Sequence, residues 1–404
     1  MKRRGVGPRG MGAVAVLMLT GLVLLGVSAN STAAAPAKTL KIGVVVALSG
    51  WKSVSDVVEA KHLGTVAQMI NDKGGITVKG EKYNIELEIE DGKSTLDGMT
   101  AAANRLVYDK KVKFVVGPSA FFSVATSPVF ESNKVLHVSG YNTCQPGEMD
   151  NTTPYGFLGY DASIGIGIAG VQAMKKEFPD VKKVAIVAPD DGALPYLIPK
   201  IKPAIEKQGV AVVGNVVGYP NDSLDMSPIA EKLNAIKDAD AILQQNGAPQ
   251  HLGAIIKALR ELGNNKPYVG CAVVSCDDVL TIVGPAVATN IMTTAIYPHA
   301  PGNPPLMDEV FDKSGKQRPM YLFIPNALYT LTQAIRAADS IDPTVVKAKW
   351  ESMDKIETLF GTGIMSGDKT YGIRKHAVAH PHPYQKLMNG KALFGGWVAV
   401  GAIP

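Results

Sequence analysis

The chain has 404 residues, 46% of them hydrophobic and 19% charged, which suits a folded protein of two domains and excludes a disordered one. Lys and Arg number 41 against 36 Asp and Glu, but Lys2, Arg3, Arg4 and Arg9 stand in the first 35 residues, which hold no acid. The remainder is therefore near neutral, without the clustered basic face that nucleic-acid binding needs.

Taken in chain order, "MKRRGVGPRG" is basic, "MGAVAVLMLTGLVLLGV" is apolar and "SANSTAAAPA" is small. This predicts a cleaved secretory signal over 1–35 and a periplasmic mature chain. The first cysteine is Cys144, so no lipid-bearing N-terminal cysteine is expected. No later run reaches the roughly 18–20 apolar residues a membrane span needs.

From Leu40, strands and helices alternate. "LKIGVVVAL" predicts a buried strand, and Ser53–Lys73 a helix that the double glycine of "INDKGGI" stops. "YNIELEIED", "VKFVVG" and "VLHVS" predict further strands, separated by helices over "TLDGMTAAANRLVYDK" and "SVATSPVFESN". After an irregular stretch the alternation restarts at "KKVAIVAPD". It continues through "VAVVGNVVGY", "ADAILQQN" and "KPYVGCAVV", with helices over Ala193–Gln208, Ser227–Lys237, His251–Leu262 and Asp277–Val283. "NIMTTAIYP", a helix over Tyr321–Ser340 and a mixed end follow. Short apolar strands between helices imply parallel sheets covered on both faces. The expected fold is α/β: two doubly wound, Rossmann-like lobes joined by a multi-strand hinge. Lobe I takes 40–160 and 292–378, and lobe II takes 161–291 and 379–404.

Such lobes bind ligands at the carboxyl ends of their strands. The loops there are "ALSGWKS", "GPSAFFS" and "SGYNTC" from the first, and "APDDGALP", "QQNGAPQ" and "GCAVVSCDD" from the second. Ser119 stands at a helix start, where it can cap the helix or, with free N–H groups, receive a carboxylate. Ser123 is one turn on, and Tyr141 and Thr143 adjoin. Phe121 and Phe122 suit either the core or a cavity wall. Asp190–Asp191 and Asp277–Asp278 can each cap a helix or meet an ammonium group. There is no G-x-S-x-G elbow, no P-loop and no G-x-G-x-x-G after the first strand, so neither an enzyme nor a nucleotide cofactor is expected. His376, His380 and His382 read as a surface strand with prolines rather than a metal site. Cys271 and Cys276 are spaced so that a disulfide between them is possible.

The export signal, "LKIGVVVALSG", "INDKGGI", "VKFVVGPSA" and "NDSLDMSPIAEKLNAIKDADAIL", in this order, resemble the Leu/Ile/Val-binding class of periplasmic solute-binding proteins of ABC importers. The resemblance implies the type I two-lobed fold, a monomer, a small-molecule ligand and an ABC permease of the cytoplasmic membrane as partner. It places the carboxylate grip on Ser119, Ala120, Phe121 and Ser123 and on Tyr141, Asn142 and Thr143, with Trp51 nearby. In the second lobe it points to Ala193, Gly247, Ala248, Cys271 and Ala272, and Asp191 or Asp277 is the residue that can substitute for a missing acid. The acid that holds the α-ammonium in amino-acid binders falls at Ala272, and positions usually aromatic fall at Ala193 and Ala248. An uncompensated buried ammonium costs roughly 3–5 kcal/mol. The expected ligand is therefore an aromatic or apolar organic acid. An amino-acid transport protein and a periplasmic sensor without transport are the alternatives.

Overall fold

The computed structural model describes residues 36–160, 163–190 and 192–403; the expected signal lies outside them. The first half runs β1 (Lys38–Val46), α1 (Ser53–Asp72), β2 (Ile76–Val78), β3 (Glu81–Asp91), α2 (Leu96–Asn104), β4 (Phe114–Val116), α3 (Ser123–Ser132), β5 (Leu136–Ser139) and β6 (Gly156–Leu158). The second half runs α4 (Ser163–Glu177), β7 (Lys183–Pro189), α5 (Leu194–Glu206), β8 (Ala211–Val212), β9 (Val217–Tyr219), α6 (Ser227–Ala235), β10 (Ala241–Gln245), α7 (Pro249–Glu261), β11 (Tyr268–Cys271), α8 (Cys276–Val283) and β12 (Ile291–Thr293). The tail adds α9 (Pro305–Lys313), α10 (Phe323–Ala338), α11 (Pro343–Glu351), β13 (Lys355–Thr358), β14 (Gly361–Ser366), α12 (Asp368–Tyr371), β15 (Ala377–Ala379), β16 (His382–Met388) and β17 (Lys391–Val398).

β1 is buried along its whole inner length because it is central and parallel to both neighbours, as its unbroken Val and Ile run requires. It pairs with β3 from Lys38↔Tyr83 to Val46↔Asp91. The first sheet has the order β2-β3-β1-β4-β5-β6, parallel except for β2. The second has the order β17-β16-β12-β11-β10-β7-β8, with β9 also on β7, and closes on the antiparallel β16 and β17. β13, β14 and β15 make a small third sheet. α1 and α10 cover one face of the first sheet and α2 and α3 the other; α4 and α5 cover one face of the second sheet, and α7 and α8 the other. This is the doubly wound arrangement expected, and residues from Ala37 onward form one compact unit.

At "INDKGGI" the helix stops as its glycines require. The Gly74 and Gly75 N–H groups donate to Asn71 and Ile70 carbonyls at 2.9 Å, with φ of +93° and +74°. A Cβ on Gly75 would stand 2.2 Å from the Tyr83 carbonyl oxygen, so the turn also lets the chain lie against β3.

Three expectations need correction. The return to the first half does not begin at 292, because Ile291–Thr293 pairs with β11 and β16 in the second sheet. Only from α9, which packs on α1, is the chain back. The histidines are not on a surface strand: His376, His380 and His382 are all buried. His380 and His382 stack at 4.5 Å where the chain crosses from β15 to β16, and Tyr160, beside the crossing after β6, stands edge-on to both. Burial lowers the His382 pKa to about 3. The three cysteines are buried free thiols, so Cys271 and Cys276 are not bridged.

Candidate functional site

In both sheets the strand order reverses beside a central strand, at β1/β4 and at β7/β10, and such switch points open a crevice at the strand tips. The two crevices border one cavity of about 100 Å³. Trp51, Lys52, Ala120, Tyr141 and Thr143 line it from the tips of β1, β4 and β5, with Val54 and Ser55 from the start of α1. Opposite them are Pro189 at the end of β7, Asn221 after β9, Asn246–His251 after β10, and Ala272–Val274 after β11. Tyr321 and Phe323, where α10 begins, close one side.

The loop after β1 is held by acids. Asp91 accepts the Leu48 N–H at 2.9 Å and the Ser49 hydroxyl at 2.7 Å, and the Ser94 Oγ accepts the Lys52 N–H at 3.1 Å. That fixes Lys52, whose side chain is 7% exposed although it borders the cavity. Its ammonium donates to Asp56 and, at 3.3 Å, to the Ser55 hydroxyl. The second Asp56 oxygen accepts the Ala47 N–H at 2.9 Å. Burial works against the Lys52 charge, but Asp56, Tyr141 and Glu59 outweigh it and hold the pKa above the ordinary 10.5.

One turn further, buried Glu59 accepts the Ile324 N–H at 2.8 Å, while its Oε1 has no partner. Burial and the neighbouring Asp56 raise its pKa to about 8, against the pull of Lys52. His62 follows, with Nδ1 3.1 Å from the Tyr321 carbonyl and a pKa lowered by burial to about 4. Positions 52, 56, 59 and 62 thus form a buried polar stripe, while Val54 and Val57 on the same turns are exposed.

Of the residues expected in the site, Trp51, Ala120, Tyr141, Thr143, Gly247, Ala248 and Ala272 do line the cavity. Thr143 points elsewhere: its N–H and hydroxyl both donate to Glu148, at 2.8 and 2.9 Å. Ser119 neither lines the cavity nor caps a helix. A 3-10 turn over Ala120–Phe122 intervenes, α3 starts at Ser123, and the Ser119 hydroxyl is buried without a partner. Ser123 donates weakly to the Ala120 carbonyl at 3.4 Å. Asn142 is buried behind the wall, its carbonyl accepting the Ser163 hydroxyl. Ala193 and Cys271 are buried in the second half away from the cavity. Asp191 and the Phe121 side chain lie outside what the structure describes. At α8, Ser275 rather than either aspartate is the cap, accepting the Asp277 N–H at 3.1 Å.

Sequence reading missed Lys52, Asn221, Asn246, His251, Tyr321 and Phe323. The signal for Lys52 was present, since titratable residues recur at 52, 56, 59 and 62, spacings of 4, 3 and 3 that put them on one side of α1. Tyr321 and Phe323 gave none, because their place depends on the chain returning from the second half.

The chemistry of the walls is uneven. Tyr141 and Phe323 pack at 4.8 Å, and Tyr160 stands edge-on to Phe323 at 4.7 Å, giving an aromatic corner on the first half. The second half offers amides and small side chains. The His251 Nε2 donates to the Asn221 carbonyl, 3.0 Å away, and burial lowers the His251 pKa. Ala120, Asn246 and Val273 have φ of +62°, +61° and +48°, values that cost energy for a non-glycine residue and gather at functional sites. Among the described lining residues, Lys52 bears the one full positive charge and there is no carboxylate.

Residues 39–381 match the pattern of the family described as periplasmic binding protein. A Leu/Ile/Val-binding protein homolog of Brucella melitensis is 26% identical over 79% of this chain and 84% of its own. The substrate-binding protein of a branched-chain amino acid transporter from Streptococcus pneumoniae, solved with isoleucine, has a TM-score of 0.68 at 20% identity, covering 90% of this chain and 100% of that one. A solute-binding protein of an ABC transporter from Rhodopseudomonas palustris, solved with benzoate, has a TM-score of 0.68 at 16% identity, covering 91% and 98%.

Proposed function

Since the chain belongs to the periplasmic binding protein family, we propose that it captures a small aromatic or apolar carboxylate between its halves and hands it to an ABC permease. The observation that carries this is the charge of the cavity wall: one ammonium, no carboxylate among the described residues, and an aromatic corner. An amino acid bound there would bury its α-ammonium without an anion among the described lining residues, at a cost of several kcal/mol. A planar acid instead stacks on Tyr141, Phe323 and Trp51 and loses nothing by lacking an amine. Trp51 is 48% exposed, and a ligand or closure of the halves would cover it. A ligand that binds the closed arrangement better than the open one then shifts the population towards it.

The amino-acid reading is the second one, favoured by the naming of the Brucella relative. A thermal-shift comparison of benzoate with isoleucine separates the two. Benzoate at 100 times its Kd should stabilise the protein by about 2.7 kcal/mol, with no effect of isoleucine at the same concentration. Stabilisation by isoleucine alone would establish the amino-acid reading instead.

A further inference from the structure

We infer that Lys52 is the residue that takes the ligand's negative charge, and that Asp56 is the positioning residue that holds it at the cavity wall. This rests on the reading of the cavity as a carboxylate site. It shifts the grip away from the hydroxyls of Ser119 and Thr143.

Lys52 has a donor to spare. A lysine ammonium carries three N–H groups and no acceptor. Asp56 takes one and the Ser55 hydroxyl another, which leaves one for a group arriving in the cavity. The alternatives on the same wall are weaker. Thr143 gives both its N–H and its hydroxyl to Glu148, and Ser119 is buried and does not line the cavity.

The ammonium is also held in place. Left alone, a long flexible side chain beside a cavity would turn its charge towards water. Here Asp56 is itself anchored through its other oxygen by the Ala47 N–H at the end of β1, so the pair is fixed to the sheet. Ser94 fixes the Lys52 backbone from the other side. The ammonium is therefore placed before the ligand arrives, and little ordering is left to be done on binding. Because Asp56 already neutralises the Lys52 charge, what the site offers is a single spare charge-assisted donor, enough for one carboxylate oxygen.

The test uses benzoate and isoleucine as probes in calorimetric titrations of the wild-type protein and of Lys52→Met/Asp56→Asn, which removes both charges together and leaves no lone buried ion. For whichever acid the wild type binds, the double variant should lose about 10- to 100-fold in affinity, the size of a charge-assisted hydrogen bond. Affinity for benzamide, which keeps the ring and a carbonyl acceptor but lacks the charge, should fall by a distinctly smaller factor than that for benzoate, and an equal fall for both would show a general loosening of the cavity and overturn the assignment. Unchanged benzoate or isoleucine affinity in the double variant overturns the role of Lys52 and leaves the carboxylate reading standing. If the wild type binds neither acid, that reading fails and this inference with it. Should the double variant not fold, a crystal structure of the wild-type complex decides: a ligand carboxylate within hydrogen-bond distance of the Lys52 Nζ supports the assignment, and one held elsewhere refutes it.

Discussion

Glu59 shows what burial does to a single carboxyl group. It ordinarily titrates near 4.5, but burial and the adjacent Asp56 raise it to about 8 in the native protein. Between those values the folded chain holds a proton that the unfolded chain has released. Stability is therefore lost as pH rises through that window. Glu59→Gln keeps the acceptor for the Ile324 N–H and removes the titration. The variant should show a flatter pH–stability profile from about 5 to 8 and should be the more stable of the two near pH 8. Urea midpoints measured across that range check it, and a wild-type profile with no such decline would refute the assignment. The same stripe explains why Lys52 escaped the sequence reading. A helix is expected to bury its valines and expose its charges, yet the first turns of α1 do the reverse, burying Asp56 and Glu59 while Val54 and Val57 face outward.

At the scale of elements, most boundaries were legible because each carries its own punctuation. The double glycine after α1 is the clearest, and its two members are not equivalent. Both have positive φ, but a Cβ on Gly74 meets nothing within 4 Å, whereas one on Gly75 meets the Tyr83 carbonyl at 2.2 Å. Gly74→Ala should cost about 1 kcal/mol, the backbone penalty alone. Gly75→Ala should cost distinctly more, on the order of 2–4 kcal/mol, because the turn must also move off β3. Equal losses in chemical denaturation would show that the close approach to Tyr83 does not matter. α3 begins at Ser123, as "SVATSPVFESN" predicts, but the cap was misread: "GPSAFF" has the residues of one, and a 3-10 turn over Ala120–Phe122 separates Ser119 from the helix. Local sequence does not distinguish the two.

For the whole molecule, the decisive contacts tie segments far apart in the chain. The buried Asn326 side chain on α10 donates to the Gly159 carbonyl, at the first crossing between the halves, and accepts the Leu359 N–H at 2.7 Å. Asn326→Ala leaves two buried backbone groups without partners and should cost about 2–4 kcal/mol, seen as a lower denaturant midpoint with an unchanged slope. A loss below about 1 kcal/mol would mean that the crossings do not depend on this bridge. Such contacts mark the limit of what the chain discloses in one dimension. Its periodicity determined two doubly wound α/β lobes, because strand and helix repeats and their glycine stops are local properties. The order of family motifs pointed to a solute-binding protein. Only the tertiary structure decided that the three histidines are buried, that Thr143 turns to Glu148, and that Lys52 stands at the cavity. In each case the partner lies on another segment, and whether a polar group is buried depends on what folds over it.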